Sequence, residues 1–199
     1  MKGQYNILWT GLEYYSMENC LVDINEAGVD INSVIVGKYG SRIYRVEYHI
    51  KTNPEWETQY VQVTSRHSNR EQHLRLLNDG LGNWLSDGKR MRQFEGCTDV
   101  DIAITPFTNT LPINRLNLKS QSTEQVRVIY FHLLEQQIRA VEQQYTRIAD
   151  LQYHYENIPN DFETDITVDE NGFVVNYPGL FTRTDILPSS YNCHIKQDT

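Results

Sequence analysis

From residue 44 to residue 50 the chain alternates: Tyr44, Val46, Tyr48 and Ile50 are apolar, while Arg45, Glu47 and His49 are polar. Successive side chains of a strand point to opposite faces, so this period of two predicts a half-buried β-strand. Similar segments lie on either side. Tyr5 to Leu12 is apolar around Trp9, Cys20 to Ile24 follows, and Asn25-Glu26-Ala27-Gly28 is turn chemistry leading into Val29 to Val36. Gly37-Lys38-Tyr39-Gly40 makes the next turn, and Asn53-Pro54 ends the strand at 44–50. Trp56 to Thr64 and His73 to Leu77 are further strands, parted by the polar break Ser65 to Arg70. Asn78-Asp79-Gly80 and Ser86-Asp87-Gly88 are hairpin turns bracketing Trp84.

The second half is less uniform. Between Glu124 and Tyr145, Leu134, Ile138, Val141 and Tyr145 fall at helical spacing, whereas Val126, Val128 and Tyr130 alternate. Gln125 to Leu134 reads as strand, and Glu135 to Gln144 fits helix or strand. Tyr153-x-Tyr155 and the alternating Phe162, Thr164, Ile166 and Val168 predict two more strands. Asp169-Glu170-Asn171-Gly172 is a turn, and Phe173, Val175 and Tyr177 run back as the second hairpin arm.

The central stretch runs from Glu95 to Arg115, EGCTDVDIAITPFTNTLPINR. Cys97, Asp99, Asp101 and Ala103 alternate with Thr98, Val100, Ile102 and Ile104, which as a strand sends a polar row and an apolar row to opposite faces. Thr105-Pro106 stops ladder pairing, because proline has no amide donor and restricts the residue before it. Thr108-Asn109-Thr110, held between two prolines, predicts an ordered polar loop.

These residues also carry a resemblance. The order Glu-Gly-Cys-x-Asp-Val-Asp, then x-Thr-Pro-x-Thr-Asn-Thr-Leu-Pro-Ile and Arg115, resembles the signature of a bacterial family named "putative glycolipid-binding proteins". Gly172-Phe173-Val174 leading to Tyr177-Pro178-Gly179-Leu180 resembles it as well, so the likeness spans about Ile7 to Phe181. It favours strand after Glu124 and implies a duplication of two similar β halves. The strand count independently supports a mainly β fold, an antiparallel incomplete barrel or spiral β-roll. Residues 1–184 are expected to form one domain, with approximate halves 1–117 and 118–184. Asp185 to Thr199, polar and containing Pro188-Ser189-Ser190, reads as a C-terminal extension.

Composition narrows the function. The 199 residues carry a net charge of -8, and no cationic run exceeds Lys89-Arg90. That argues against nucleic acid and against electrostatic docking on an anionic membrane. MKGQYNILWTGLEYY has neither a signal peptide nor a lipidation motif, and no apolar stretch approaches the ~20 residues that span a bilayer, so a soluble, cytoplasmic protein is expected. Cys20, Cys97 and Cys193 are far apart and odd in number, which predicts free thiols. Cys97 reads as a small buried packing residue.

The candidate chemistry centres on Asp99 and Asp101. Two carboxylates on one face of a strand raise the pKa of one of them and suit acid-base work; alternatively they are surface aspartates, or one caps the following loop. The histidines are scattered singly and offer no metal-ligand spacing, there is no Gly-x-Ser-x-Gly elbow, and Gly80-x-Gly82 lacks the context of a phosphate loop. Neither metal nor cofactor is expected. Thr108, Asn109, Thr110 and Arg115 suit a hydroxylated or anionic head group, or else they satisfy the loop's own backbone. The large aromatics Trp9, Trp56, Trp84, Tyr44, Tyr48, Tyr153, Tyr155, Phe173 and Tyr177 either line a cavity or fill a core.

The resulting expectation is a protein that binds a glycolipid or similar amphiphile in a concave apolar pocket with a polar mouth. Burying ten methylenes is worth on the order of 8 kcal/mol, enough that a few head-group hydrogen bonds complete a micromolar complex. The ligand-binding residues are expected among Trp9, Asp99, Asp101, Thr108, Asn109, Thr110, Arg115 and Tyr177, with no catalytic residue assigned. The alternatives are an enzyme acting on a small hydroxylated molecule through the Asp pair, or a structural or interaction protein with no small ligand. The edges of an unclosed sheet also allow a homodimer.

Overall fold

The computed structural model describes residues 2–67 and 70–188. The first half forms β1 (Gly3–Gly11), β2 (Ser16–Asn25), β3 (Gly28–Tyr39), β4 (Arg42–Thr52), β5 (Thr58–His67), β6 (Arg70–Asn78), β7 (Trp84–Ser86) and β8 (Lys89–Arg90). The second forms β9 (Asp99–Ile102), the short helix α1 (Thr110–Leu116), β10 (Thr123–His132), β11 (Gln137–Ala149), β12 (Gln152–Ile158), β13 (Glu163–Val168), β14 (Val174–Tyr177) and β15 (Phe181–Pro188). All fifteen strands belong to one sheet, ordered β8-β7-β6-β5-β4-β3-β2-β1-β15-β14-β13-β12-β11-β10-β9. Neighbours are antiparallel except β9 and β10, which pair in parallel. A parallel pair needs a crossover connection, and the segment carrying α1 supplies it.

Chain length dictates the shape. The two edges, β8 and β9, are consecutive in sequence. Fourteen spacings of about 4.8 Å would put the edges of a flat sheet of this size roughly 67 Å apart. The residues between Arg90 and Asp99 reach at most about 32 Å. The sheet therefore has to roll up on itself, and β9 comes to lie against β5 without hydrogen bonding to it, leaving the roll unclosed.

Inside the roll the alternation read from sequence holds: Tyr44, Val46, Tyr48 and Ile50 are buried, as are Cys20, Val22 and Ile24. The interior is filled, with Trp9, Trp84, Phe107, Phe131 and Phe173 fully buried. The indole N–H of Trp9 donates to the Val174 carbonyl at 2.8 Å, which ties β1 to β14 across the core. Its ring meets Phe107 edge-on at 6.4 Å, and Phe107 in turn lies 6.4 Å from Phe173. The Trp84 N–H donates to the Cys97 carbonyl at 2.9 Å and fastens the segment that crosses from one sheet edge to the other.

Two local expectations are settled differently or more sharply. Glu135 to Gln144 is turn and then strand: Gln136 adopts φ 60° in the turn, and β11 begins at Gln137, paired with β10 from His132 back to Thr123. The helical spacing of its apolar residues is coincidental, because Leu134 lies within the turn and Ile138 is an exposed position on the strand that follows. The polar stretch expected as a loop is helical instead. A 3-10 turn over Phe107–Asn109 runs into α1, where Pro112 sits in the first turn and no amide donor is required of it. Asn117 in the left-handed conformation ends the helix. Gly172 permits α1 to dock: at φ +74° its absent Cβ would lie 2.4 Å from Asn114 Oδ1, and Asn114 Nδ2–H donates to the Asn171 carbonyl at 3.0 Å.

Residues 185–188 of the expected extension continue β15 against β1, with Pro188 opposite Tyr5. The rest of that extension, Cys193 included, lies outside the described residues. Among the described residues no helix is long and apolar enough to cross a membrane.

Candidate functional site

Strand β9 delivers its two carboxylates into different surroundings. Asp99 is fully buried and is gripped by Arg115 of α1, Nε to Oδ1 at 3.1 Å and Nη2 to Oδ2 at 2.6 Å, the two-pronged geometry that suits a guanidinium. The Thr98 hydroxyl also donates to Oδ2, at 2.9 Å. Two positions on, Asp101 has no cation partner among the described residues. Thr108 Oγ1–H donates to its Oδ1 at 3.0 Å and Gln143 Nε2–H to its Oδ2 at 2.6 Å. Burial pushes the Asp101 carboxyl above the usual carboxylate range, and the bonds from Gln143 and Thr108 pull it partway back. Burial rather than its neighbour Asp99 is the cause of that rise.

Asp101 is at the wall of a cleft of about 230 Å³ at one end of the roll. Ala103, Thr105 and Asn109 continue that wall toward α1, and Tyr130 of β10 stands beside it. The opposite side is aromatic. Tyr155 lies edge-on to Tyr177 at 6.1 Å, Tyr177 edge-on to Phe181 at 6.0 Å, and Tyr14 stacks on Phe181 at 6.0 Å. Asn109 Oδ1 accepts from the Tyr145 hydroxyl at 3.0 Å, behind the cleft. Burial first, and then the Asp101 carboxylate, raises the phenols of Tyr155 and Tyr177, so both stay protonated hydrogen-bond donors. Tyr130 and Asn157 are shared with a wider groove of about 500 Å³ over β10–β12, flanked by Arg127, Arg139 and Asp161.

The fold thus brings Asp101, Asn109 and Tyr177 of the expected residues to one cleft, with Thr108 directly behind Asp101. Asp99 and Arg115 form their sealed pair beside it. Trp9 is in the core, and Thr110 is fully buried, its hydroxyl without a partner among the described residues. Of the nine aromatics with two readings, Tyr155 and Tyr177 line the cleft. Tyr14, Tyr130, Asn157, Phe162 and Phe181 escaped sequence reasoning, because turns and strands distant in sequence supply them.

A third acid was also missed. Glu18 on β2 points into the roll, where Ser33 Oγ–H and the Tyr48 hydroxyl donate to its Oε1 at 2.7 and 2.6 Å, while Oε2 has no partner among the described residues. Burial pushes it up to about 7 against the lowering effect of hydrogen bonds with Tyr48, Thr105 and Ser33. The Tyr48 hydroxyl is 3.3 Å from Thr105 Oγ1, which links this acid to the cleft wall.

Among the described residues, His154, Glu156 and Glu163 form a cluster of metal-ligating types, which sequence spacing hides because Glu163 comes from the adjacent strand. It lies on the outer face, and its members already have partners: His154 with Asp165, Glu156 with Gln144 and Glu163 with Asn160.

The sequence profile of a family described as "Putative glycolipid-binding" matches residues 6–183. A crystal structure of a DUF1089 family protein from Pseudomonas aeruginosa aligns with a TM-score of 0.75 at 30% sequence identity, over 83% of this chain and 91% of that one. No curated protein matches the chain.

Proposed function

The chain belongs to that family, and we propose that it binds the hydroxylated head group of a glycolipid or similar amphiphile in the cleft around Asp101. The observation that carries the reading is a carboxyl with neutral hydrogen-bond partners set opposite a bank of tyrosine and phenylalanine rings. A sugar has two kinds of surface, hydroxyl edges and C–H faces. The Asp101 oxygens and the Asn157 amide suit the first, and the rings of Tyr155 and Tyr177 suit the second.

Size supports a head group rather than a whole lipid. Sites for drug-sized ligands run to roughly 300–1,000 Å³, and this cleft holds about 230 Å³. The interior that would house acyl chains is occupied by Trp9, Phe107 and Phe173. A longer oligosaccharide would extend past Tyr130 and Asn157 into the adjoining groove.

The test uses chain-free probes. A panel of methyl glycosides, titrated while NMR resonances of the tyrosine rings are followed, should shift those of Tyr155 and Tyr177, and Asp101→Asn should weaken binding by about tenfold, the equivalent of one hydrogen bond to a charged group. No shift with any glycoside, or an unchanged affinity in Asp101→Asn, would overturn the reading. Release of p-nitrophenol from p-nitrophenyl glycosides by wild type and not by Asp101→Asn would make the same carboxyl an enzymatic acid.

A further inference from the structure

We infer that the end of the roll beside the cleft docks on a lipid bilayer surface, through the turn after β1 and the outer ends of β2, β3 and β4. The inference rests on the head-group reading, since a lipid whose head fills a small cleft keeps its chains in the membrane it came from.

The turn after β1 has two roles. Glu13 and Tyr14 line the cleft, whereas Leu12 and Tyr15 in the same turn face outward, 49% and 78% exposed. The neighbouring turn between β3 and β4 is fastened to it, because the Lys38 amide donates to the Tyr14 carbonyl at 3.3 Å and the rings of Tyr14 and Tyr39 lie 6.0 Å apart. Just beyond that second turn Ile43 is 79% exposed. On the outer sheet face Met17 and Val36 stand directly opposite each other across β2 and β3, each 50% exposed.

A lone exposed apolar residue is ordinary, but a contiguous set marks an interaction surface. This set has a tyrosine and aliphatic side chains, the composition that settles at the boundary of head groups and acyl chains. Lys38 and Arg42 flank it and make no ion pair among the described residues, so they are available to lipid phosphates; Glu13 is the carboxylate in the turn itself. The net charge of -8 sets the terms of docking: attraction acts locally, by insertion, and the protein as a whole is not drawn to anionic lipid.

The test is flotation of the full chain with phosphatidylcholine vesicles, with and without phosphatidylglycerol. Wild type should float with both. Tyr15→Ser and Ile43→Ser should each lower the vesicle partition constant by about tenfold, because burying one such side chain is worth a factor of that order. Both positions are exposed, so an unchanged melting temperature serves to show that the variants are folded. Failure of wild type to float, or flotation undiminished in both variants, would overturn the inference. So would a homodimer in solution that the two substitutions dissociate, since the surface would then belong to a second copy. The methyl glycoside titration separates the two claims: flotation without glycoside binding leaves docking standing and removes the head-group reading, and the converse removes docking alone.

Discussion

Asp99 and Asp101 sit two residues apart on one short strand, yet they belong to different parts of the molecule. Asp99 is sealed by an arginine whose side chain is itself only 17% exposed. Asp101 is held by an amide and a hydroxyl, with a cavity beside it. The contrast shows what separates a structural carboxylate from a ligand-facing one. A bound cation uses up the charge, whereas neutral donors leave it in place and leave part of its hydrogen-bonding capacity for something else.

The most damaging way to probe the contrast is Asp99→Ala, which strands the Arg115 guanidinium. Breaking a buried pair by removing one partner costs about 3–5 kcal/mol, and urea unfolding should show a loss of that order while the folded fraction still binds glycosides. A loss below about 1 kcal/mol would mean that Arg115 is satisfied elsewhere.

Glu18 is a third case, a buried acid held by neutral donors with no cation partner among the described residues. Its folded-state pKa of about 7 lies above the ordinary carboxyl value of 4.5, so the folded protein holds a proton that the unfolded chain releases. The resulting stabilisation is complete below about pH 4.5 and is lost as pH rises through about 7, roughly 3 kcal/mol in all at 1.36 kcal/mol per unit. Denaturant melts at about pH 5 and about pH 8 should differ in wild type and much less in Glu18→Gln, which should be the more stable of the two at the higher pH.

Asp101→Asn keeps the shape and removes the charge. Because burial raises this carboxyl, its ionisation opposes folding, so the variant should be as stable as wild type to within about 1 kcal/mol at neutral pH while losing glycoside affinity. A large loss of stability would move Asp101 to the structural side of the comparison. Asn109→Ala removes the nearer acceptor of the buried Tyr145 hydroxyl, leaving Gln143 Oε1 at 3.4 Å, and should cost about 1 kcal/mol, read as a lowered melting temperature.

Much of the sheet was legible in advance because half-buried strands write their period into the chain. Tyr44 to Ile50, the two Gly-containing turns around Trp84 and the hairpin at Asp169–Gly172 all appear where alternation and turn chemistry place them. The stretch after Leu134 was ambiguous because a hairpin turn interrupts the alternation there, and Leu134 in the turn together with Ile138, Val141 and Tyr145 of the following strand mimics a helical stripe. The helix after Phe107 was hidden by prolines that break a helix interior and are harmless in a first turn. Asp101 and Asn109 were visible as polar residues in an ordered segment. Their separation from Asp99 was not, because it depends on Arg115 and Gln143 arriving from other elements.

The sheet order also bears on the speed of folding. From β1 to β8, and again from β10 to β15, each strand pairs with its neighbour in sequence, contacts that a chain can zip together locally. The junction of β1 with β15, in the middle of the sheet, instead joins residues such as Tyr5 and Pro188 from far ends of the sequence. This arrangement leads one to expect that the two meanders form first and that their union across the seam is the step with the largest loop entropy to overcome. Substitutions at the seam should therefore leave the early burial of aromatic rings intact and delay the appearance of the cleft, whose walls come from both meanders.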